Sequence, residues 1–398
     1  MLMKYYLLAL TGLVLFFAAA CKKETIKKTN VVYDNGPTDS LKINQIQVIA
    51  SHNSYHLKTD SVVFAFLTAL DSLGLLPSSY SPKGIDYWHV PVEEQFNNYN
   101  VRGLELDIYN DPNGGQFYYR AGPTFSGYPN TSNEPKLMEP GFKIIHIVDF
   151  DYNTNYITFK DALQAIYNWS VAHPNHLPIF INIEAKEDVP ADVLTTLPGL
   201  THSIPYDASA CDAMDAEIKS IFGQELDKVI TPDDVRGSYS TLEAAALAGN
   251  WPQLASSRGK VVFIMQGAAD ALYKAGHPSL QGRAMFVYSN PGTSEAAFVI
   301  LNSSKGDYSE IQQRVSQGYI VRTRADDGTD EARTGDESSR EAAFSSWAQI
   351  VSTDYYRPDP RAGTPGWTNY HVQFPNGEVA RIDSISATGQ LTLGLIKE

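Results

Sequence analysis

The chain has 398 residues, 43% of them hydrophobic and 19% charged, an ordinary globular mixture with room for one large domain or two medium ones. Its formal net charge of −14 argues against nucleic acid as a partner and against docking on anionic membranes through bulk charge. Only two cysteines are present, Cys21 and Cys211, so the fold must rest on its core and not on a disulfide framework.

In chain order, residues 1–4 supply a short basic start, and residues 5–20 form an apolar run that closes on Phe-Phe-Ala-Ala-Ala directly before Cys21. This reads as a secretory signal of the lipoprotein type, with Cys21 as the acylated first residue; the alternative is an uncleaved anchor helix. Removing residues 1–20 takes away one lysine and no acid, which leaves the mature chain at −15. Residues 21–40 are polar and without apolar period, and suit a tether. Residues 41–398 then read as a single domain, expected as a monomer at the bacterial cell envelope, anchored through Cys21 at the outer membrane or periplasmic face. Cys211 reads as a small buried residue.

Within that domain, residues 46–53, 101–109, 142–150, 177–186, 259–267, 318–326 and 349–356 read as strands, and a sixth strand falls at either 284–288 or 296–302. Helical patterns lie between them. Residues 158–173 carry Phe159, Leu163, Ile166 and Trp169 at helical spacing and stop at Pro174; residues 209–222 and 336–347 also read as helices. Segments 57–95 and 187–256 are long for connections and contain Pro, Tyr and Trp, so they read as packed insertions. A hairpin is expected around Pro375-Asn376-Gly377. Eight strands alternating with helices, each ending in polar residues, predict an α/β fold of the (β/α)8 TIM-barrel type, with its chemistry at the C-terminal strand ends. An open doubly wound sheet would gather functional groups at one switch point instead.

Strand alternation puts Glu105 and Asp107 on one face, where two carboxylates repel and lose hydration unless a cation, a proton or a basic group compensates. A solvated pair at the strand's end is the bland alternative. Asn53, Glu105, Asp107 and Glu184 together offer only oxygen donors, which suit calcium or magnesium and not zinc. No HExxH, CxxC or His-x-His pattern is present. His52 and His146, on different strands, suit a general base and a general acid. Base, cation and acid are the parts that cleavage of a phosphodiester needs.

The blocks SHNSYH (51–56), GLELDIY (103–109), HIVDF (146–150) and PIFINIEAKED (178–188), in this order, resemble the catalytic strands of phosphoinositide-specific phospholipases C. TPDDVRG (231–237), NWPQLASSRGKVVF (250–263), GYIVRTRAD (318–326) and STDYY (352–356) resemble the bacterial, calcium-dependent branch. The resemblance implies a PLC-like phosphodiesterase barrel with a phospholipid substrate. It implies His52 and His146 as catalytic pair, Asn53, Glu105, Asp107 and Glu184 as Ca2+ ligands, and diacylglycerol and a cyclic inositol phosphate as products. His52 is assigned to the attacking hydroxyl and His146 to the leaving group; a carboxylate such as Glu105 shares the claim to the base. Lys186, Arg322 and Arg324 are candidates for the phosphate and headgroup, against salt bridges from either arginine to Glu105, Asp326 or Asp354. Asp354 and Tyr356 are placed on ring hydroxyls by position alone.

Among the other histidines, His56 lies near the site, and His89, His173, His176, His202, His277 and His371 read as surface or structural. A glycerophosphodiester phosphodiesterase shares the barrel, the second-strand Glu-x-Asp and the fourth-strand Glu-x-Lys. Its first strand ends His-Arg-Gly, where this chain has His52-Asn53-Ser54. A surface lipoprotein with a retired barrel is the non-catalytic alternative.

Overall fold

The computed structural model describes residues 36–390 and 394–398; the expected signal peptide, Cys21 and most of the expected tether lie outside the described residues. Among the described residues the strands are β1 (Ile46–Ser51), β2 (Gly103–Tyr109), β3 (Lys143–Ile144), β4 (Ile179–Lys186) and β5 (Val261–Gly267), followed by β6 (Phe286–Val287), β7 (Phe298–Ser303), β8 (Ile320–Arg324), β9 (Ile350–Thr353) and β10 (Ala380–Ile382). Eight of them run parallel in the order β6-β5-β4-β2-β1-β9-β8-β7, and a parallel bridge between Tyr288 and Phe298 joins the two ends. The result is the expected barrel, nearly closed. Its strands are apolar on both faces because helices cover the outside, as in β5, where residues 261–265 are fully buried. At Gly103 the first two strands approach so closely that an added Cβ would stand 2.4 Å from the Ala50 methyl, so no larger residue fits there.

The helix over Phe159–Ala172 buries Phe159, Leu163, Ile166 and Trp169, as the spacing predicts. Thr158 and Asp161 cap its start reciprocally, each side chain accepting from the other's backbone N–H at 3.1 Å. Cys211 is fully buried within the helix Ala208–Phe222.

Four expectations need correction. Residues 142–150 are not a barrel strand: only Lys143 and Ile144 pair, antiparallel, with the end of β2. Their apolar pattern is real but faces a second hydrophobic core, where Ile145, Ile147, Val148 and Phe150 meet Val63, Leu67 and Leu194 from the long insertions and Phe117 from the connection between β2 and β3. The strand lost there is replaced by using both candidates for the sixth, β6 and β7. The expected hairpin at 375–377 is a short turn, and the residues beyond it form β10, which pairs antiparallel with β1. Finally, residues 36–40 belong to the folded body, since Thr38 and Asp39 are buried and Asp39 Oδ1 accepts from Arg258 Nε and Nη2 at 2.9 and 2.7 Å.

Candidate active site

The functional groups gather at the C-terminal ends of β1, β2, β4, β8 and β9. After β1 the chain turns sharply, with Asn53 in the left-handed region at φ 44°. Ser54 secures this turn against β2: its N–H donates to Glu105 O at 3.0 Å and its Oγ accepts from Glu105 N at 2.8 Å. His52 therefore stands over the strand that carries the acids. Its Nδ1 lies 2.8 Å from Asp354 Oδ1, and a carboxylate can only accept, so the proton sits on Nδ1. Nε2 is left facing the site, 4.0 Å from Glu105 Oε2 and 3.4 Å from Arg324 Nη1. Burial, then the cation of Arg324, push the His52 pKa well below 6.5; Arg322 and His146 add to this and Glu105 opposes it. Burial at this position therefore favours the neutral imidazole.

Glu105, Asp107 and Glu184 converge, one oxygen of each lying within 4.8 Å of the others. Register explains this: Glu105 pairs with Asn182 and Asp107 with Glu184 across β2 and β4, so alternation aims the acids at one point. Burial, with Glu184 and Glu105 nearby, raises the Asp107 pKa well above 3.8, and Lys186, whose Nζ is 3.3 Å from Asp107 Oδ2, works the other way. Asp107 Oδ1 is buried with no hydrogen bond of standard geometry among the described residues, and the Tyr55 hydroxyl lies close enough to this carboxylate to lower its pKa. An orphaned buried oxygen beside two more carboxylates fits a divalent cation, and the all-oxygen set fits calcium. Gln266 of β5 bridges two of the acids, its Nε2 3.0 Å from Glu184 Oε2 and 3.5 Å from Glu105 Oε1. Asn53 donates from Nδ2 to the Tyr87 hydroxyl at 2.9 Å, which leaves its carbonyl oxygen as the atom able to ligate.

His146 stands in the bend after β3. Residues 147–151 turn back on themselves, with Ile147 and Asp151 exchanging backbone hydrogen bonds of 3.0 and 2.8 Å around Asp149 at φ 68°. The turn returns Asp151 to His146, whose Nδ1 lies 2.7 Å from Asp151 Oδ2. Burial lowers the His146 pKa and Asp151 opposes that shift. Asp149, by contrast, is a loop latch that accepts from Ala121 N and Thr201 N at 2.8 and 2.7 Å.

The structure thus brings His52, Glu105, Asp107, Glu184, Lys186 and Arg324 together, with His146 close enough to influence the His52 charge, while Asn53 sits in the turn between His52 and Ser54 with its Nδ2 on Tyr87. Three expected headgroup residues are placed otherwise. Arg322 is drawn into the barrel, bonding to Glu105, to Asn302 Oδ1 at 3.0 Å and to Ser352 Oγ at 3.1 Å. Asp354 is committed to His52 and, through Oδ2, to Arg324 Nη2 at 2.9 Å. Tyr356 is turned inward, 1% exposed, its hydroxyl accepting from Val90 N at 3.2 Å and its ring stacked on His89. Asp151, Gln266 and Tyr87 went unnoticed in the sequence. Asp151 follows His146 by five residues and lies just beyond the strand expected over 142–150; Gln266 was legible only as a polar strand terminus.

The family described as phosphoinositide phospholipase C, Ca2+-dependent, matches residues 41–384. The chain belongs to this family. The enzyme's fold is similar to that of a calcium-dependent phosphoinositol-specific phospholipase C from a Gram-negative Pseudomonas sp., at 18% identity and TM-score 0.50 over 89% of this chain and 100% of that one. The myoinositol complex of the Pseudomonas protein gives the same values. A Ca2+-dependent phosphatidylinositol-specific phospholipase C from Streptomyces antibioticus is 17% identical, with TM-score 0.47 over 79% of this chain and 95% of that one. No curated protein matches. Calcium is accordingly the cofactor of this phosphoric diester hydrolase.

Proposed function

We propose that the enzyme cleaves phosphatidylinositol-type lipids to diacylglycerol and a cyclic inositol phosphate, with His52 as general base and His146 as general acid. The observation that supports this most is that each imidazole has its Nδ1 on a buried carboxylate, Asp354 or Asp151, which leaves both Nε2 atoms for proton exchange with substrate. His52 Nε2 takes the proton of a ring hydroxyl as that oxygen bonds to phosphorus. The bond from phosphorus to the glycerol oxygen breaks, and His146 Nε2 gives its proton to the departing alkoxide. Each imidazole ends in the other's starting state, and exchange with solvent resets them.

Glu105, Asp107, Glu184 and Asn53 would hold calcium, which when bound supplies positive charge to the phosphoryl oxygens. Arg322 holds the Glu105 carboxylate in place. Arg324 Nη1, beside His52 Nε2, and Lys186, beside Asp107, are placed to take phosphate oxygens. Phosphatidylinositol should be hydrolysed and glycerophosphocholine left intact when the two are assayed side by side; the opposite preference would favour the glycerophosphodiesterase reading.

Cys21, behind an apolar run with small residues at its end, is proposed as a lipid anchor at the cell envelope. The anchor would keep an acidic catalytic domain near lipid that its charge does not attract. In fractionated cells the protein is expected with the membranes and a Cys21→Ser variant outside them; equal membrane retention of both would contradict the anchor.

A further inference from the structure

Two imidazoles, not one, donate to Asp151. His56 Nε2 lies 2.6 Å and His146 Nδ1 2.7 Å from the same Oδ2, while Thr59 Oγ1 donates to Oδ1 at 2.6 Å. The two rings meet edge to face with centroids 5.4 Å apart. We propose that His56 is a positioning residue for His146, acting through the Asp151 carboxylate that both rings share. The proposal rests on His146 being the general acid.

An ionised carboxylate has no proton to give, so both ring nitrogens facing it carry hydrogen. That fixes His56 with its proton on Nε2. Its Nδ1 is buried with no hydrogen-bond partner among the described residues, and the residue is fully enclosed. A proton on Nδ1 as well would bury a donor that no described residue accepts. His56 and His146 together outweigh burial and hold Asp151 below the usual carboxylate range.

Three donors on one carboxylate also spread its charge. His146 is then held in one orientation and tautomer without being made so basic that it keeps its proton. The groups with the largest electrostatic influence on His146 are Asp151, Lys186 and His56, with His52 also coupled to it, and of these Asp151 favours the imidazolium. How firmly Asp151 grips the His146 proton is therefore set by how many other donors it serves. The backbone bonds of residue 56, from its N–H to Asn53 O and from His89 N to its own carbonyl, both 2.8 Å, do not depend on the side chain.

The test compares His56→Leu, His56→Gln and Thr59→Val with the wild type in pH profiles of kcat on phosphatidylinositol with calcium. His56→Leu is expected to lower kcat about tenfold, short of the 10²–10⁴ that loss of a general acid costs. KM should stay unchanged, and the alkaline limb should move up, because a less occupied Asp151 binds the His146 proton more tightly. Gln, whose amide nitrogen has about the reach of an imidazole Nε2, should restore rate and limb. Thr59→Val should shift the limb the same way by less, and decides the matter if His56→Leu does not fold. The proposal is overturned by an unmoved limb in His56→Leu and Thr59→Val, or by a Gln variant no better than Leu. An active His146→Ala enzyme would overturn the reading of the site itself, and the proposal with it.

Discussion

Replacing His52 by alanine is expected to lower kcat on phosphatidylinositol about 10³-fold, within the range that general bases contribute. KM should change little, because the imidazole acts on a proton that moves in the transition state. The fold should survive, since Asp354 keeps its 2.9 Å ion pair with Arg324 and its backbone bond to Asp326 without His52. The wild-type pH profile carries the same information. Neutral His52 is the active form, and burial together with Arg324 lowers its pKa, so the acid limb of kcat/KM should lie below the ordinary imidazole value of 6.5. That limb should disappear in the variant. A variant that retains both rate and limb would move the base elsewhere, and Glu105, 4.0 Å from His52 Nε2, would be next in line.

Asp107→Asn should separate the calcium site from the proton-transfer groups. Three carboxylates within 4.8 Å disfavour the folded chain at neutral pH, which is the meaning of an Asp107 pKa raised by burial and by Glu184 and Glu105. A carboxyl group whose folded pKa lies above its unfolded value loses stability for the fold as pH climbs from the unfolded towards the folded value. The Asn variant, with one charge fewer, should therefore melt at a higher temperature than wild type when calcium is chelated. Calcium should reverse the order. At a hundred times its dissociation constant a ligand adds about 2.7 kcal/mol to the folded state, and the variant, short of one anionic oxygen, should gain much less at the same concentration. Calorimetric melting with and without calcium reads both effects; an equal calcium-induced rise in the two proteins would place the ion elsewhere.

The residues that the sequence made legible are those whose partners lie along a strand or straight across a strand pair. Glu105, Asp107 and Glu184 follow from alternation plus register, and Phe159, Leu163, Ile166 and Trp169 from helical spacing. Residues 142–150 carry the alternation of a strand, but alternation reports a buried face and not the core that buries it. Here the insertions supply a second core, and the segment serves that one. Asp151 was hidden for a related reason: its approach to His146 depends on a tight turn through the left-handed Asp149, which only tertiary packing fixes. Arg322 and Asp354 were recognised as site residues from their strand positions, and the structure shows the ion pairs they make. Inside a barrel an arginine finds the nearest carboxylate before it finds a ligand, and both ion pairs had been open alternatives for these residues.

Phosphorus NMR of phosphatidylinositol vesicles, recorded with the purified enzyme in calcium and again in excess chelator, bears most directly on the cooperation of two imidazoles with an oxygen-only ion site. A cyclic phosphodiester resonance should grow only in calcium, and should be absent for His52→Ala and His146→Ala alike. The same resonance appearing in chelator, or growing at the wild-type rate in either variant, would contradict the account.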